Sequence, residues 1–480
     1  MSKIVPNNIV VDTDAYKLMH WLFRKPGTTF LYNYGEARGG EFPKVILFGL
    51  QAIILEHFEG IVVTKEGIGE GYVEALNCFG TGAYFNMEMW TRILEVHGGK
   101  LPVRIKALPE GMAVPVGTPM FTVESTDPEC IEIVQPLETL LMHVWYTSTI
   151  ATNSKLIRTG ILKYLEETGT PELIDFMCHD FGYRGVTCQQ QAGLGGMANM
   201  INFAGSDTII GNRYINGYYG GMPEGRLRSV AATEHSIATQ YGLELEDEIQ
   251  YVLNCLSVVP DDAIVSFVGD SKDMFRFALH VMGDERVMAC VNARAGRTIV
   301  RPDSGDPEEV VLKVLDILGS VYGYDYNSKG YKVLKGNVGV LQGDGMDRES
   351  IFALYEALKV NKWSADNLVV GSGGGLLQKG WNRDTSKWAI KLAYAEENGQ
   401  PVVVKKDPAQ MAMKKSKGGM FKLCPTFNSD KPCVLHTLES REAYEKDAFL
   451  DMMETVFENG ELVKSYSFPE IIELANKQVL

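Results

Sequence analysis

Thr298-Ile-Val-Arg-Pro-Asp-Ser-Gly-Asp-Pro307 opens as a short apolar run, reads as a buried strand and ends in Arg301, Asp303 and Gly305. Asp306 and Pro307 then supply an N-cap and a first-turn proline for a helix running to about Leu318. A cation and a carboxylate therefore stand together at the carboxyl end of a strand, facing a helix N-terminus. Phosphates, a divalent metal and sugar hydroxyls all suit such a place. One such stretch carries little weight, because Asp and Gly end many strands for turn reasons alone. Repetition supplies the weight.

Leu173-Ile-Asp-Phe-Met runs into His179-Asp-Phe-Gly-Tyr-Arg184, and a segment near Phe203 ends at Ser206-Asp207. Leu227 to Ala232 ends at Glu234-His235-Ser236, and Ala263-Ile-Val-Ser-Phe-Val ends at Gly269-Asp270-Ser271. Val338-Gly-Val-Leu-Gln ends at Gly343-Asp344-Gly345, and Asn367-Leu-Val-Val ends at Gly371-Ser-Gly-Gly-Gly375. Helical patterns such as Met274 to Val281 and Ser350 to Lys359 follow most of them. Strand–helix units at a spacing of roughly 30 residues predict a parallel sheet, and this many predict a (β/α) barrel with its functional side chains at the carboxyl ends of the strands. A doubly wound sheet is the competing fold, but its early Gly-x-Gly-x-x-Gly turn is absent.

Outside that region the pattern changes. Thr28 to Arg38 and Leu101 to Val123 read as strands with proline and glycine turns; Pro102-Val-Arg-Ile-Lys-Ala and Met120-Phe-Thr-Val-Glu alternate as half-buried antiparallel strands do. Residues 64 to 97 read as mostly helical, and Gln135 to Glu167 as one helix. Short strands return at Pro401-Val-Val-Val-Lys, Met420-Phe-Lys-Leu and Pro432-Cys-Val-Leu-His. The expected fold is α/β: a barrel-like domain over 154–384, inserted into a second, β-rich α+β domain built from residues 1–153 and 385–480.

Composition narrows the function. The 480 residues are 45% hydrophobic and 22% charged, as in an ordinary globular protein. A net charge of −15 argues against nonspecific nucleic-acid binding and attraction to anionic membranes. The eight cysteines are scattered, with no Cys-x-x-Cys pair, which suits free thiols in a reducing compartment. No basic-then-apolar leader and no apolar run of about 18 residues is visible. The expectation is a cytoplasmic protein that engages neither nucleic acid nor membrane.

Several constellations could carry chemistry, each beside a plainer reading. The run Gly371-Ser-Gly-Gly-Gly-Leu-Leu-Gln-Lys379 suits a phosphate approached by backbone N–H groups, or is a flexible turn; it lacks the Walker ending. Arg184 and Arg301 suit phosphates, and Asp270 and Asp303 suit a shared Mg²⁺, or these residues form structural Arg–Asp bridges. Phe181 could stack on a flat heteroaromatic ring, or lie in the core. His235 could act as a base or nucleophile with Asp270 as its orienting carboxylate, or merely cap and hydrogen-bond. Cys178, His179 and Cys188 lack a fourth ligand for zinc. The lysines around 405–417 form a solvated face or embrace nucleotide phosphates. Asp14 reads as the cap of the short helix that follows it.

Taken together these motifs resemble the nicotinamide phosphoribosyltransferases, within the type II phosphoribosyltransferase class. The resemblance runs from Asp14-Ala-Tyr-Lys17 through Phe48-Gly-Leu-Gln51, Thr126-Asp-Pro-Glu-Cys130, Ala151-Thr-Asn-Ser154 and His179-Asp-Phe-Gly-Tyr-Arg-Gly185. It continues through Glu234-His-Ser236, Arg301-Pro-Asp-Ser-Gly305, Gln342-Gly-Asp-Gly345 and Gly371–Lys379 to Lys464-Ser-Tyr-Ser-Phe468. It implies synthesis of nicotinamide mononucleotide and diphosphate from nicotinamide and 5-phosphoribosyl diphosphate, with Mg²⁺, for NAD salvage. It also implies ATP hydrolysis coupled through a phosphohistidine, and a homodimer with shared active sites. On that pattern Phe181 stacks on the nicotinamide ring, with Tyr16 of the other subunit on the opposite face, and Asp207 meets the carboxamide. Arg184, His235 and Arg301 hold diphosphate; Asp303, Gly343, Asp344 and Gly374 hold ribose and 5-phosphate, with Arg383 at the phosphate end. His235, oriented by Asp270, is the phosphorylated residue. Ala231 and Gly269 stand where the pattern has proline and serine.

Overall fold

A computed structural model describes residues 7–406, 415–426 and 432–480. In it Thr298–Arg301 is a strand whose first three residues are buried. Asp306 caps the helix Pro307–Tyr322 by accepting the Glu309 N–H at 3.0 Å. That helix buries Val311, Val314, Leu315 and Leu318, the i, i+3, i+4, i+7 stripe of an amphipathic helix.

The chain packs as two compact units. One comprises Asn153–Ile215 and Met222–Gly380; the other takes the remaining described residues, including Asn216–Gly221 and Trp381–Leu480. The first holds a six-stranded sheet in the order Cys178–Asp180, Leu368–Ser372, Val338–Gln342, Thr298–Arg301, Val265–Val268 and Ala231–Ala232. Every pairing in it is parallel. Parallel strands need long crossovers, supplied here by helices such as Leu245–Val258, Pro307–Tyr322 and Arg348–Val360. Covered on both faces, the inner strands are buried throughout: all four residues of Val265–Val268 and all five of Val338–Gln342, among them the polar Ser266 and Gln342. The fold is mixed α/β with a parallel half-barrel sheet.

Four elements of this unit differ from the sequence reading. Leu173–Met177 is not a strand: Pro171 opens a 3₁₀ turn over Pro171–Phe176, and only Cys178–Asp180 pairs. Ser206 and Arg228 contribute single parallel bridges, Asp180 to Ser206 and Gly205 to Arg228. Leu227 sits at φ 51°, in the left-handed region, so the strand expected from there is reduced to Ala231–Ala232. The helix after Val265–Val268 turns from α at Met274–Arg276 into a π turn at Phe277–Val281.

The other unit centres on a seven-stranded sheet: Gln400–Val403, Ala389–Glu397, Thr28–Glu36, Pro119–Ser125, Val103–Ala107, Glu454–Glu458 and Glu461–Leu462. Val103–Ala107 alternates buried and half-buried as read. Pro119–Ser125 does not: it lies between Thr28–Glu36 and Val103–Ala107, with every residue but Glu124 buried. The helix expected over 135–167 breaks at His143 into Val134–Met142 and Val144–Thr168, where His143 and Tyr146 bond three residues back instead of four. Asp14 precedes the 3₁₀ turn Ala15–Phe23 without a side-chain capping bond. Among the described residues no helix is long and apolar enough to cross a membrane.

Candidate active site

Register brings the strand ends of the parallel sheet level. Val268 pairs with Arg301, so Asp270 and Asp303 leave adjacent strands at the same height. Ser372 pairs with Asp180, and the Phe181 N–H donates to the Ser372 carbonyl at 3.0 Å. Around these ends lies a cleft of about 690 Å³. Phe181, Arg184, Asp207, Arg301, Asp303 and Gly343 line it. Thr208, which no motif had included, also reaches it, as do Tyr183 and Gly373 from within the quoted motifs.

Phe181 is neither loose nor in the core. Its ring lies so close to Gly371 that a Cβ there would come within 2.1 Å of the ring edge, so only glycine leaves it room. Gly269 has the same character, because a Cβ would meet the Phe277 ring at 2.5 Å. The serine of the family pattern is therefore excluded here by the π turn's own aromatic.

The charged groups separate into engaged and unengaged. Asp270 is engaged on both oxygens: Oδ1 meets His235 Nε2 at 2.8 Å, and Oδ2 accepts from Ser304 Oγ at 2.6 Å. Its side chain is 7% exposed. His235 opens the helix His235–Tyr241, and its Nδ1 is 3.8 Å from Asp303. If Nε2 donates to Asp270, Nδ1 keeps its lone pair. Arg184 and Arg301 have no carboxylate at ion-pair distance among the described residues, so the bridge reading fails for both. Among the described residues Asp303 approaches no charged partner but His235. A divalent cation held by one or two carboxylates and substrate oxygens fits Asp303, and Asp270 could share it through the second lone pairs of oxygens that already meet His235 and Ser304.

Beneath the cleft, Asp180 is fully buried. Its Oδ1 accepts the Gly182 N–H at 2.8 Å, and its carbonyl accepts the Asp207 N–H at 2.9 Å. Burial raises its carboxyl to about 6, against the Gly182 N–H and the neighbouring Thr208 hydroxyl, which lower it. Oδ2 reaches no hydrogen-bond partner. His179, also buried, is shifted down by desolvation despite Asp207.

Of the other expected residues, Gly374 begins the short helix Gly374–Leu377, and Asp344 is exposed just beyond Gly343. Tyr16 and Arg383 belong to the other unit. The Tyr16 ring is 54% exposed and meets His20 edge-on at 4.8 Å. Arg383 pairs with Asp384 at 3.1 Å. Asp407 and Lys414, in the lysine-rich stretch, lie outside the described residues, whereas Lys417 pairs with Glu36. Among the described residues the one His/Cys/carboxylate trio close enough for a common ion is His97, Asp127 and Cys130, where Arg92 already holds Asp127 at 2.7 Å.

Comparison with known proteins adds to this geometry. Residues 176–461 match the nicotinate phosphoribosyltransferase (NAPRTase) family, and residues 8–105 match the nicotinamide phosphoribosyltransferase N-terminal domain. A nicotinamide phosphoribosyltransferase of Xanthomonas campestris pv. campestris is 36% identical over 97% of this chain and 97% of its own. One of Acinetobacter baylyi is 28% identical over 99% and 98%. In fold, a nicotinate-nucleotide pyrophosphorylase from Pyrococcus furiosus superposes with a TM-score of 0.61 at 15% identity, over 99% of this chain and 98% of its own.

Proposed function

Because this chain belongs to the nicotinate phosphoribosyltransferase (NAPRTase) family, and so to the phosphoribosyl-transferring enzymes, we propose that it joins nicotinamide to 5-phosphoribosyl diphosphate in NAD biosynthesis. The observation that carries this reading is a set of uncommitted groups in one cleft: Arg184, Arg301 and Asp303 beside Phe181 and Asp207. Two guanidiniums without a carboxylate suit a diphosphate. An aromatic ring fixed against glycine suits a flat pyridine. An exposed carboxylate suits a carboxamide N–H and repels the carboxylate of nicotinate. The names of the similar Xanthomonas and Acinetobacter enzymes agree with that choice.

The chemistry is displacement at the anomeric carbon. The pyridine nitrogen lone pair forms the new C–N bond as the bond from that carbon to the diphosphate oxygen breaks, and its electron pair leaves with diphosphate. Arg184 and Arg301 stabilise the charge that departs, and Phe181 holds the weak nucleophile in line. Asp303, with Asp270, would hold Mg²⁺ together with substrate oxygens, the ion adding further neutralisation of the leaving group; Asp270 also serves His235.

We also take the reaction to be coupled to ATP through His235. Nδ1 would attack the γ-phosphorus, ADP would leave with the P–O electron pair, and water would later cleave the phosphohistidine. Support comes from the Asp270 contact, which favours a proton on Nε2 and a free Nδ1. Under the same reading the protein is a homodimer in which the partner copy's Tyr16 faces Phe181, and Arg383, Asp344 and Gly374 assist the phosphate end. The parallel unit is then a barrel-like catalytic domain, and the antiparallel sheet is a second domain drawn from both chain ends. A cytoplasmic location fits eight scattered cysteines with no Cys-x-x-Cys pair among them.

The test is a product assay with nicotinamide and nicotinate, each with and without ATP. Nicotinamide mononucleotide should dominate and ATP should raise its yield. Equal kcat/KM for the two pyridines would remove the nicotinamide assignment.

A further inference from the structure

Asp207 has one hydrogen-bonding side chain on its carboxylate among the described residues: the Ser229 hydroxyl donates to Oδ1. The backbone builds this contact. Ser206 donates its N–H to the Arg228 carbonyl at 3.0 Å, and Arg228 donates to the Ala204 carbonyl at 2.8 Å. Gly205 and Arg228 form a parallel bridge, so Ser229, one residue on, comes within reach of Asp207, two residues on. Asp207 is fixed from beneath by its N–H to the Asp180 carbonyl. Both residues are exposed, and Asp207 lines the cleft.

A serine hydroxyl has a single proton and two lone pairs. While Asp207 accepts that proton, Ser229 has none to offer a ligand, and the pair presents acceptors only: the second carboxylate oxygen and the serine lone pairs. A carboxamide brings N–H donors to such a pair. A ring carboxylate brings only acceptors and finds nothing to bond.

We propose that Ser229 is the second specificity-determining residue of the pyridine site, held in its acceptor state by Asp207. The inference rests on the nicotinamide reading above and extends it with an asymmetry. In the wild-type protein Ser229 positions Asp207 and supports the amide. Once Asp207 is removed, the same hydroxyl regains a proton and becomes a donor to the ring carboxylate of nicotinate. Residue 229 therefore changes sides according to residue 207.

The experiment measures kcat and KM for nicotinamide, nicotinate and 5-phosphoribosyl diphosphate in the wild type, Ser229→Ala, Ser229→Thr, Asp207→Ala and the double variant Asp207→Ala/Ser229→Ala. Ser229→Ala should raise KM for nicotinamide about fivefold or more, with KM for 5-phosphoribosyl diphosphate within twofold, and Ser229→Thr should restore it. Asp207→Ala should raise kcat/KM for nicotinate about tenfold, and adding Ser229→Ala should abolish that gain. A double variant that keeps the nicotinate gain overturns the proposal. So does an Asp207→Ala variant with no gain, or a Ser229→Ala variant whose nicotinamide KM is unchanged. Failure of the broader reading looks different: the wild type itself would make no nicotinamide mononucleotide.

Discussion

Replacing Asp270 by asparagine isolates one quantity, the charge beside His235. The amide is isosteric. Its oxygen can accept from His235 Nε2, as Oδ1 does now at 2.8 Å, and its NH₂ can donate to Ser304 Oγ, now 2.6 Å from Oδ2. Shape and hydrogen-bond count survive; the negative charge does not. A hydrogen bond to a charged group is worth about 1.5–3 kcal/mol, and His235 at 44% exposure is partly screened, which points to the lower half of that range. About 1.5–2 kcal/mol lost from the cationic transition state is roughly a ten- to thirtyfold slower phosphorylation. The assay is rapid-quench labelling with γ-labelled ATP. Wild-type protein should carry acid-labile, base-stable label on Nδ1, Asp270→Asn should acquire it ten- to thirtyfold more slowly, and His235→Ala should acquire none while retaining ATP-independent synthesis. Labelling of Asp270→Asn within twofold of wild type would refute the orienting role. So would phosphate on Nε2, the nitrogen that Asp270 occupies.

The remaining predictions test other parts of the site. Asp207→Ser should shift preference from nicotinamide towards nicotinate, read as a ratio of kcat/KM values; an unchanged ratio counts against an ionised carboxylate at the carboxamide. Gly371→Ala should displace the Phe181 ring, raising KM for nicotinamide and lowering stability by about 1–3 kcal/mol in denaturant titrations, as overpacking does. Mixing inactive Tyr16→Ala with inactive Asp303→Ala protein should regenerate activity in heterodimers; no recovery after demonstrated subunit exchange argues against a shared site. Asp180 predicts a pH dependence of stability. Its carboxyl is raised to about 6 when folded, against about 3.9 in an unfolded chain. The native state thus binds the extra proton between those values, and stability falls as pH rises through them, by about 3 kcal/mol in total. Asp180→Asn should remove that fall, so its stability relative to wild type should be better at pH 8 than at pH 4, as read from urea melts at both. An equal difference at the two pH values would exclude the effect.

Much of this site was legible because strand, turn and cap signals are local. Asp306 and Pro307 announce their helix in two adjacent residues, and the structure keeps both roles. The residues at the strand ends, from Phe181 to Gly343, could be gathered because a parallel sheet collects carboxyl ends on one side. What escaped depends on register and on distances between segments remote in sequence. Ser229 and Asp207 are 22 residues apart and meet only because Gly205 bridges Arg228. Ser304 stood inside the opening stretch without a role, and its bond to Asp270 spans 34 positions. Asp180 looked like one more member of a motif until its burial was known. Leu173–Met177 misled for a different reason: an apolar run fits a strand and a 3₁₀ turn equally well, and Pro171 decided the matter.

Gly371 has one further consequence, and it concerns entropy. A phenylalanine free to change rotamer would surrender that freedom on meeting a ligand, at a cost of about 0.5–1.5 kcal/mol for an immobilised side chain. Phe181 is hemmed in by main chain at Gly371 before any ligand arrives. The ordering has been moved from the binding step to the folding step, where the glycine adds its own loss of conformational freedom to the cost. For a ligand as small as a single pyridine ring, with few atoms from which to draw affinity, that transfer separates a usable site from a merely complementary one.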